Sequence, residues 1–143
     1  MPIAQREAEV VWEGSLAGGS GSLSLGSHVL DESPVTWAAR TEAPNGKTSP
    51  EELIAAAYSA CFSMALAHGL AQAGTPADQL DTSATVTFVP GDGITKIALT
   101  VRGTVPEVDE EAFVAAAEGA KVGCPVSKAL AGVPEITLDA ALA

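Results

Sequence analysis

Two cysteines are the residues of this chain whose types and positions could carry chemistry. Cys61 lies within an apolar run over residues 53–66, and Cys124 lies in the segment VGCPVSKAL, residues 122–130. The chain contains no other cysteine, and no apolar signal segment stands at its N-terminus. Two thiols in such a chain favour redox chemistry over a disulfide scaffold.

The two cysteines differ in how well a purely structural role explains them. A free cysteine often packs as a small apolar side chain, so the sequence leaves Cys61 open between an inert core thiol and a reactive one. Cys124 stands directly before Pro125, at the predicted start of a helix. Backbone N–H groups and the positive end of the helix dipole lower the pKa of a thiol at such a position. We therefore expect a raised thiolate fraction at Cys124.

Other chemistries find little support in the sequence. His68 follows Cys61 by seven residues on one predicted helix. The two are then separated by roughly 10 Å along the axis, too far for His68 to activate Cys61 directly. The sequence does not place His28. A structural zinc site needs about four Cys or His ligands at short spacing, and neither a Walker loop nor a dinucleotide fingerprint is present. We predict no metal and no cofactor, and a cysteine hydrolase is disfavoured.

Composition restricts the class of protein and its partners. The 143 residues fit one domain over residues 1–143, and the hydrophobic fraction of 47% is ample for a core. The net charge of −11 disfavours binding to nucleic acid or to an anionic membrane surface. Polar side chains interrupt the apolar stretch over residues 53–73, which favours a core helix over a membrane span. We expect a cytoplasmic location, where thiols are kept reduced.

The predicted elements begin with strands and alternate irregularly with helices. Ser49, Pro50 and Glu52 predict a helix start with a capping box, and this helix should run to His68 or Ala73. The other predicted elements are strands over residues 8–16, 22–25 and 35–37, a hairpin over residues 82–89 and 94–101, helices over residues 109–122 and 125–131, and a strand over residues 135–140.

This order predicts an α+β fold with antiparallel sheets, because it lacks the regular alternation of a parallel α/β sheet. The long helix is apolar around most of its circumference, so it should be a buried central helix that needs cover on all sides. A chain of this size does not readily supply that cover alone, so we expect a homodimer that shares the helix.

Two motifs resemble the signatures of a known family. Residues 48–57 (TSPEELIAAA) and 59–66 (SACFSMAL) resemble the first signature of the OsmC/Ohr family of osmotically inducible and organic hydroperoxide resistance peroxidases. Residues 123–130 (GCPVSKAL) resemble the second, and residues 95–99 and 135–139 resemble the OsmC branch. The resemblance implies an intertwined homodimer of OsmC-like fold with active sites at the subunit interface.

The resemblance also implies roles for four residues. Cys61 matches the peroxidatic cysteine, which would form a sulfenic acid, and Cys124 matches the resolving cysteine, which would close an intramolecular disulfide. Arg40 and Glu51 fall where the family has its catalytic arginine and its glutamate partner. The implied substrates are organic hydroperoxides, with hydrogen peroxide weaker. The implied reductant is a dithiol, with lipoyl groups among the candidates.

Spacing along the long helix adds one expectation about the dimer. Glu51 and Cys61 are ten residues apart, which is about 15 Å of rise in a straight helix. If both serve one site, we expect Glu51 to come from the second subunit, and the sequence leaves open whether Arg40 comes with it. Two alternatives to a peroxidase remain: a thiol-based redox sensor or small-ligand-binding protein on the same fold, and a structural dimer with inert thiols.

Overall fold

A computed structural model describes residues 3–143 and divides into two compact units. The N-terminal unit ends at Pro50, and the C-terminal unit is Glu51–Ala143. A single domain over residues 1–143 stays a prediction.

The N-terminal unit is a small antiparallel sheet followed by one helical turn. Its strands, which pair in chain order, are β1 (Ala8–Glu13), β2 (Ser20–Leu25) and β3 (Ser33–Val35), and its helix is α1 (Trp37–Thr41). The strands predicted over residues 8–16 and 22–25 are confirmed as an antiparallel pair, with β1 ending at Glu13. The predicted strand over residues 35–37 is wrong at its end, because the Thr36 side chain accepts a hydrogen bond from the Ala39 N–H and begins α1 at Trp37.

The long helix α2 (Pro50–Gln72) begins and ends as the sequence predicts. Gly74 follows it in the left-handed region at φ 82°, and the Thr75 N–H returns a hydrogen bond to the Leu70 carbonyl at 2.9 Å. These features are typical of a glycine-terminated helix.

The long helix α2 is not covered on all sides within one chain. Its buried apolar residues form one stripe at four-residue spacing, Tyr58, Phe62, Leu66 and Leu70. Met64 on another face is 72% exposed. By length and composition α2 could also cross a membrane, a test that core helices of soluble proteins pass as well. The fully buried central helix stays a prediction that depends on a partner chain.

The C-terminal unit contains a second sheet with strands β4 (Gln79–Val89), β5 (Gly93–Thr104) and β6 (Glu135–Leu142) in that order. The β4–β5 hairpin is antiparallel, as predicted. The prediction of purely antiparallel sheets is wrong, because β6 pairs with β5 in parallel. Between these strands the chain forms α3 (Glu110–Gly123) and α4 (Pro125–Ala129), and this crossover brings the chain back in the direction of β5.

The core of the C-terminal unit joins this sheet to α2 and α3. The buried stripe of α2 packs in one cluster with inward-facing residues of β5 and with Phe113 and Ala117 of α3. A Cβ atom at Gly103 would lie 2.4 Å from the Phe113 ring, so only glycine allows this close approach. Burial of each large apolar side chain stabilises the unit by about 1.5–3 kcal/mol, and the cluster also includes Cys124.

Candidate active site

Cys124 lies at the break between two consecutive helices. It is the C-cap of α3, where its N–H donates to the Ala120 carbonyl at 2.9 Å, and it is also the N-cap of α4. Pro125 occupies the first helical position of α4, as the sequence predicts. The Cys124 side chain is fully buried.

Cys61 lies in the middle of α2 and is half-buried. Its Sγ is 3.0 Å from the Sγ of Cys124, and both cysteines are free thiols. The fold thus brings together two side chains that are 63 residues apart in the chain. At this separation a disulfide requires only a small movement of either side chain, and the two sulfur atoms share one hydrogen bond.

The two thiols have opposite shifts in pKa. Burial acts to raise the pKa of Cys124, but the hydrogen bond with Cys61, the N–H groups of Ser127 and Val126, and the Ser127 hydroxyl outweigh it and lower this pKa. These N–H groups stand at the first turn of α4 and favour the charged sulfur without forming a regular side-chain cap. Burial and the hydrogen bond to Cys124 raise the pKa of Cys61, with the Val126 N–H acting against them. The lowered Cys124 pKa was predicted from its position before Pro125.

A pair of hydroxyl groups adjoins the cysteines. Its two residues were not predicted from the sequence. The buried Tyr58 hydroxyl forms a short hydrogen bond with the Ser127 hydroxyl. Burial, as well as the charges of Cys124 and Cys61, raises the pKa of Tyr58. Helical spacing could have indicated both residues, because Tyr58 precedes Cys61 by three positions on α2 and Ser127 follows Cys124 by three.

Arg40 lies in the N-terminal unit and Glu51 lies in the C-terminal unit. Arg40 is half-buried in the last turn of α1, with its guanidinium carbon 5.8 Å from the centre of the Trp37 ring, which is a cation–π contact. Glu51 is a buried carboxylate in the first turn of α2. Because α2 is one continuous helix, Glu51 and Cys61 of one chain are about 15 Å apart along its axis.

Each of the two histidines is exposed in its own unit. His68 is exposed on α2, about 10 Å along the axis from Cys61. His28 is exposed in the N-terminal unit, where its Nδ1 is 3.0 Å from the Asp31 carboxylate. Within residues 3–143, no three His, Cys, Asp or Glu side chains are grouped so that they could hold a metal ion.

Comparison with known proteins agrees with these motifs. The model of the OsmC-like protein family matches residues 43–139, which include both cysteines. The chain belongs to the OsmC family. Peroxiredoxin OsmC of Escherichia coli K12 is 43% identical over 137 residues, or 94% of each chain. Organic hydroperoxide resistance protein OhrB of Bacillus subtilis 168 is 31% identical over 123 residues, or 85% of this chain and 90% of OhrB.

The fold agrees with the OsmC family as well. The crystal structure of an organic hydroperoxide resistance protein OsmC from Legionella pneumophila matches 99% of both chains with a TM-score of 0.77 and 21% identity. This mixed α+β architecture of small sheets and helices is therefore that of the OsmC and Ohr structures.

Proposed function

We propose that this protein is a cysteine-based peroxidase that reduces organic hydroperoxides, and hydrogen peroxide more weakly. The observation that carries the proposal is the cysteine pair, with the two sulfur atoms 3.0 Å apart, one half-buried and the other fully buried. The names of the relatives, peroxiredoxin OsmC and organic hydroperoxide resistance protein OhrB, support the same class of activity.

The proposed first step is attack by the Cys61 thiolate on the outer oxygen of the O–O bond. An S–O bond forms and the O–O bond breaks, so the sulfur is oxidised by two electrons to a sulfenic acid. The departing alkoxide takes a proton and leaves as the alcohol. Cys61 is assigned this step because a hydroperoxide can reach a half-buried thiol more readily than the fully buried Cys124.

In the second step the Cys124 thiolate attacks the Cys61 sulfur. An S–S bond forms, the S–O bond breaks, and the hydroxide that leaves takes a proton to become water. A dithiol reductant then exchanges with the disulfide, restores both thiols and becomes a disulfide itself. Reduced lipoyl groups are dithiols of this kind. We propose a cytoplasmic location, because the cycle starts from two reduced thiols and a reducing compartment maintains them.

Arg40 and Glu51 complete the proposed site. The raised pKa of Cys61 means that its thiolate needs a further positive partner, and an arginine is charged at every relevant pH. In this proposal Arg40 stabilises the Cys61 thiolate and the departing alkoxide, and Glu51 orients the guanidinium group through a charge-assisted hydrogen bond.

We propose that the active form is a homodimer in which Glu51 comes from the second subunit. Two observations support this proposal. Glu51 and Cys61 of one chain are about 15 Å apart along α2. Large apolar side chains are also exposed in the single chain on both α2 and β1, among them Met64 at 72%, Val11 at 58% and Val10 at 51%.

Single-cysteine variants test the peroxidase function. Cys61→Ser should abolish hydroperoxide reduction, whereas Cys124→Ser should consume one equivalent and then stop, because the sulfenic acid has no resolving thiol. Consumption of cumene hydroperoxide, a fatty-acid hydroperoxide and hydrogen peroxide with a recycling dithiol measures the activity, and mass spectrometry locates the oxidised sulfur. Oxidation without turnover in the unmodified protein would indicate a redox sensor, and native thiols that resist a mild disulfide reagent would indicate a structural protein.

A further inference from the structure

The Tyr58–Ser127 hydroxyl pair gives the site a group that the peroxidase mechanism above does not use. We propose that Ser127, held in place by Tyr58, promotes disulfide closure by hydrogen bonding to the Cys124 sulfur. In this proposal Ser127 acts on a reacting atom and is a catalytic residue for closure, and Tyr58 is a positioning residue. This inference depends on the proposed function, because closure follows oxidation of Cys61.

The direction of the hydrogen bonds follows from the donors available. Ser127 lies three residues after Cys124, in the first turn of the helix that Cys124 caps, so its single hydroxyl proton can be directed at the Cys124 sulfur, and a donor there lowers the Cys124 pKa. Either hydroxyl can donate in the bond between Tyr58 and Ser127, and in this proposal the Tyr58 hydroxyl donates, which leaves the Ser127 proton for the sulfur. The raised Tyr58 pKa keeps that proton in place. The resulting chain runs from Tyr58 through Ser127 to Cys124 and provides donors for a negative charge on the sulfur.

Burial explains why such a donor matters at Cys124. The side chain is fully buried, so the protein must supply the hydrogen bonds that water would give an exposed thiolate. The N–H groups of Val126 and Ser127 supply part of this stabilisation, and the Ser127 hydroxyl adds to it. Tyr58 and Ser127 also line an open groove of about 310 Å³.

The effect should fall on the second step and leave the first intact. Closure uses the Cys124 thiolate as the nucleophile, with formation of the S–S bond, cleavage of the S–O bond of Cys61 and release of hydroxide, which takes a proton to become water. If closure is slow, the Cys61 sulfenic acid persists, and a second hydroperoxide molecule can oxidise it to a sulfinic acid with release of another alcohol. The proportion of disulfide to sulfinic acid therefore reports on Ser127.

Ser127→Ala is the main test, with Ser63→Ala as its matched control. Ser63 is a half-buried serine of α2 whose hydroxyl donates to the Thr82 hydroxyl at 2.7 Å, so Ser63→Ala also removes one partly buried hydrogen bond. With one equivalent of cumene hydroperoxide, rapid quenching and mass spectrometry, Ser127→Ala should form the Cys61 sulfenic acid at the normal rate. It should close the disulfide about tenfold more slowly or worse, the scale for losing a hydrogen bond to a charged group. With excess hydroperoxide it should accumulate sulfinic acid. Ser63→Ala should do neither.

The pH profile separates a specific role from general damage. In Ser127→Ala the pH midpoint of closure should move upward, because Cys124 loses a donor that lowers its pKa. The deficit should shrink at alkaline pH, where Cys124 ionises without help. Tyr58→Phe, which keeps the ring, should shift the midpoint in the same direction by less, and Ser127→Thr should restore closure by restoring a hydroxyl.

The outcomes distinguish this inference from the proposed function. If cumene hydroperoxide fails to oxidise Cys61 in the unmodified protein, the peroxidase proposal is wrong. If Cys61 is oxidised normally and Ser127→Ala closes the disulfide at the unmodified rate with the same pH midpoint, the role of Ser127 is wrong. Equal slowing in Ser127→Ala and Ser63→Ala, with no shift in midpoint, would also overturn it.

Discussion

The two sulfur atoms of the pair are in contact, yet they differ in the backbone N–H groups that their own helices leave available to them. Cys61 lies in the interior of α2, where neighbouring N–H groups are committed to hydrogen bonds within the helix. Cys124 lies where α3 ends and α4 begins, so N–H groups of the first turn of α4 remain available to its sulfur. The helix interior fixes the position of the Cys61 thiol, whereas the N–H groups at the helix start favour ionisation of the Cys124 thiol. One backbone N–H, that of Val126, favours the Cys61 thiolate, whereas those of both Val126 and Ser127 favour the Cys124 thiolate, so Cys61 depends more on side chains for its ionisation.

The largest effect expected from this comparison is at Arg40. Arg40→Ala should slow oxidation of Cys61 by about two to three orders of magnitude, the scale for losing one preorganised electrostatic contact. Glu51→Ala should have a milder effect, because Glu51 only orients the arginine. Single-turnover oxidation with an organic hydroperoxide measures both variants.

Arg6→Ala is the matched control for Arg40→Ala. Arg6 is an exposed arginine of the same unit, and its side chain donates to the Gln5 carbonyl at 2.7 Å. It should oxidise at the unmodified rate. A normal rate in Arg40→Ala would remove Arg40 from the mechanism and leave the ionisation of Cys61 to another cation.

The sequence predicted the elements around the two sulfur atoms better than it predicted how they pack. The capping pattern of Ser49 and Pro50 is local, and it fixed the start of α2. The direction of β6 was not predictable from its own residues, because a parallel and an antiparallel strand share the same alternation. The Thr36 cap of α1 was overlooked beside the β-prone Val35 and Trp37, and local hydrogen bonding decided the outcome there.

The site shows the same division between local and long-range information. Cys124 could be placed at a helix start from Pro125 alone, and the direction of its pKa shift follows from that position. The Tyr58–Ser127 hydrogen bond joins residues 69 positions apart, and only the packing of α4 against α2 creates it. The roles of Arg40 and Glu51 come from resemblance to the OsmC family and stay predictions.

A second prediction concerns Glu51 and Cys61, which lie too far apart along α2 for the two residues of one chain to share a site. If each site takes Cys61 from one subunit and Glu51 from the other, a heterodimer of Cys61→Ser and Glu51→Ala chains contains one intact site and one site lacking both residues. Refolding the two variants together in equal amounts should recover about a quarter of the unmodified activity, since half the dimers are mixed and half their sites are intact.

Each variant unfolded and refolded alone, in the same way, is a control for this experiment. The comparison requires Glu51→Ala alone to be clearly impaired. If native mass spectrometry detects the heterodimers but activity does not recover, then Glu51 and Cys61 of a site belong to the same chain or Glu51 has no part in the reaction.

The smallest effect expected is a change in ionisation when either sulfur is removed. Cys124→Ala removes both a hydrogen bond and a charge that raise the Cys61 pKa, while the Val126 N–H that lowers it remains, so the Cys61 pKa should fall. Cys61→Ala removes a hydrogen bond that lowers the Cys124 pKa, so that pKa should rise. The pH dependence of alkylation by iodoacetamide measures each remaining thiol, with the urea-unfolded variants as references. The pH midpoints of the two folded single-cysteine variants should therefore be closer together than the pKa values of the two thiols in the intact pair. A Cys61 midpoint that does not fall in Cys124→Ala would mean that Cys124 does not hold back the Cys61 thiolate.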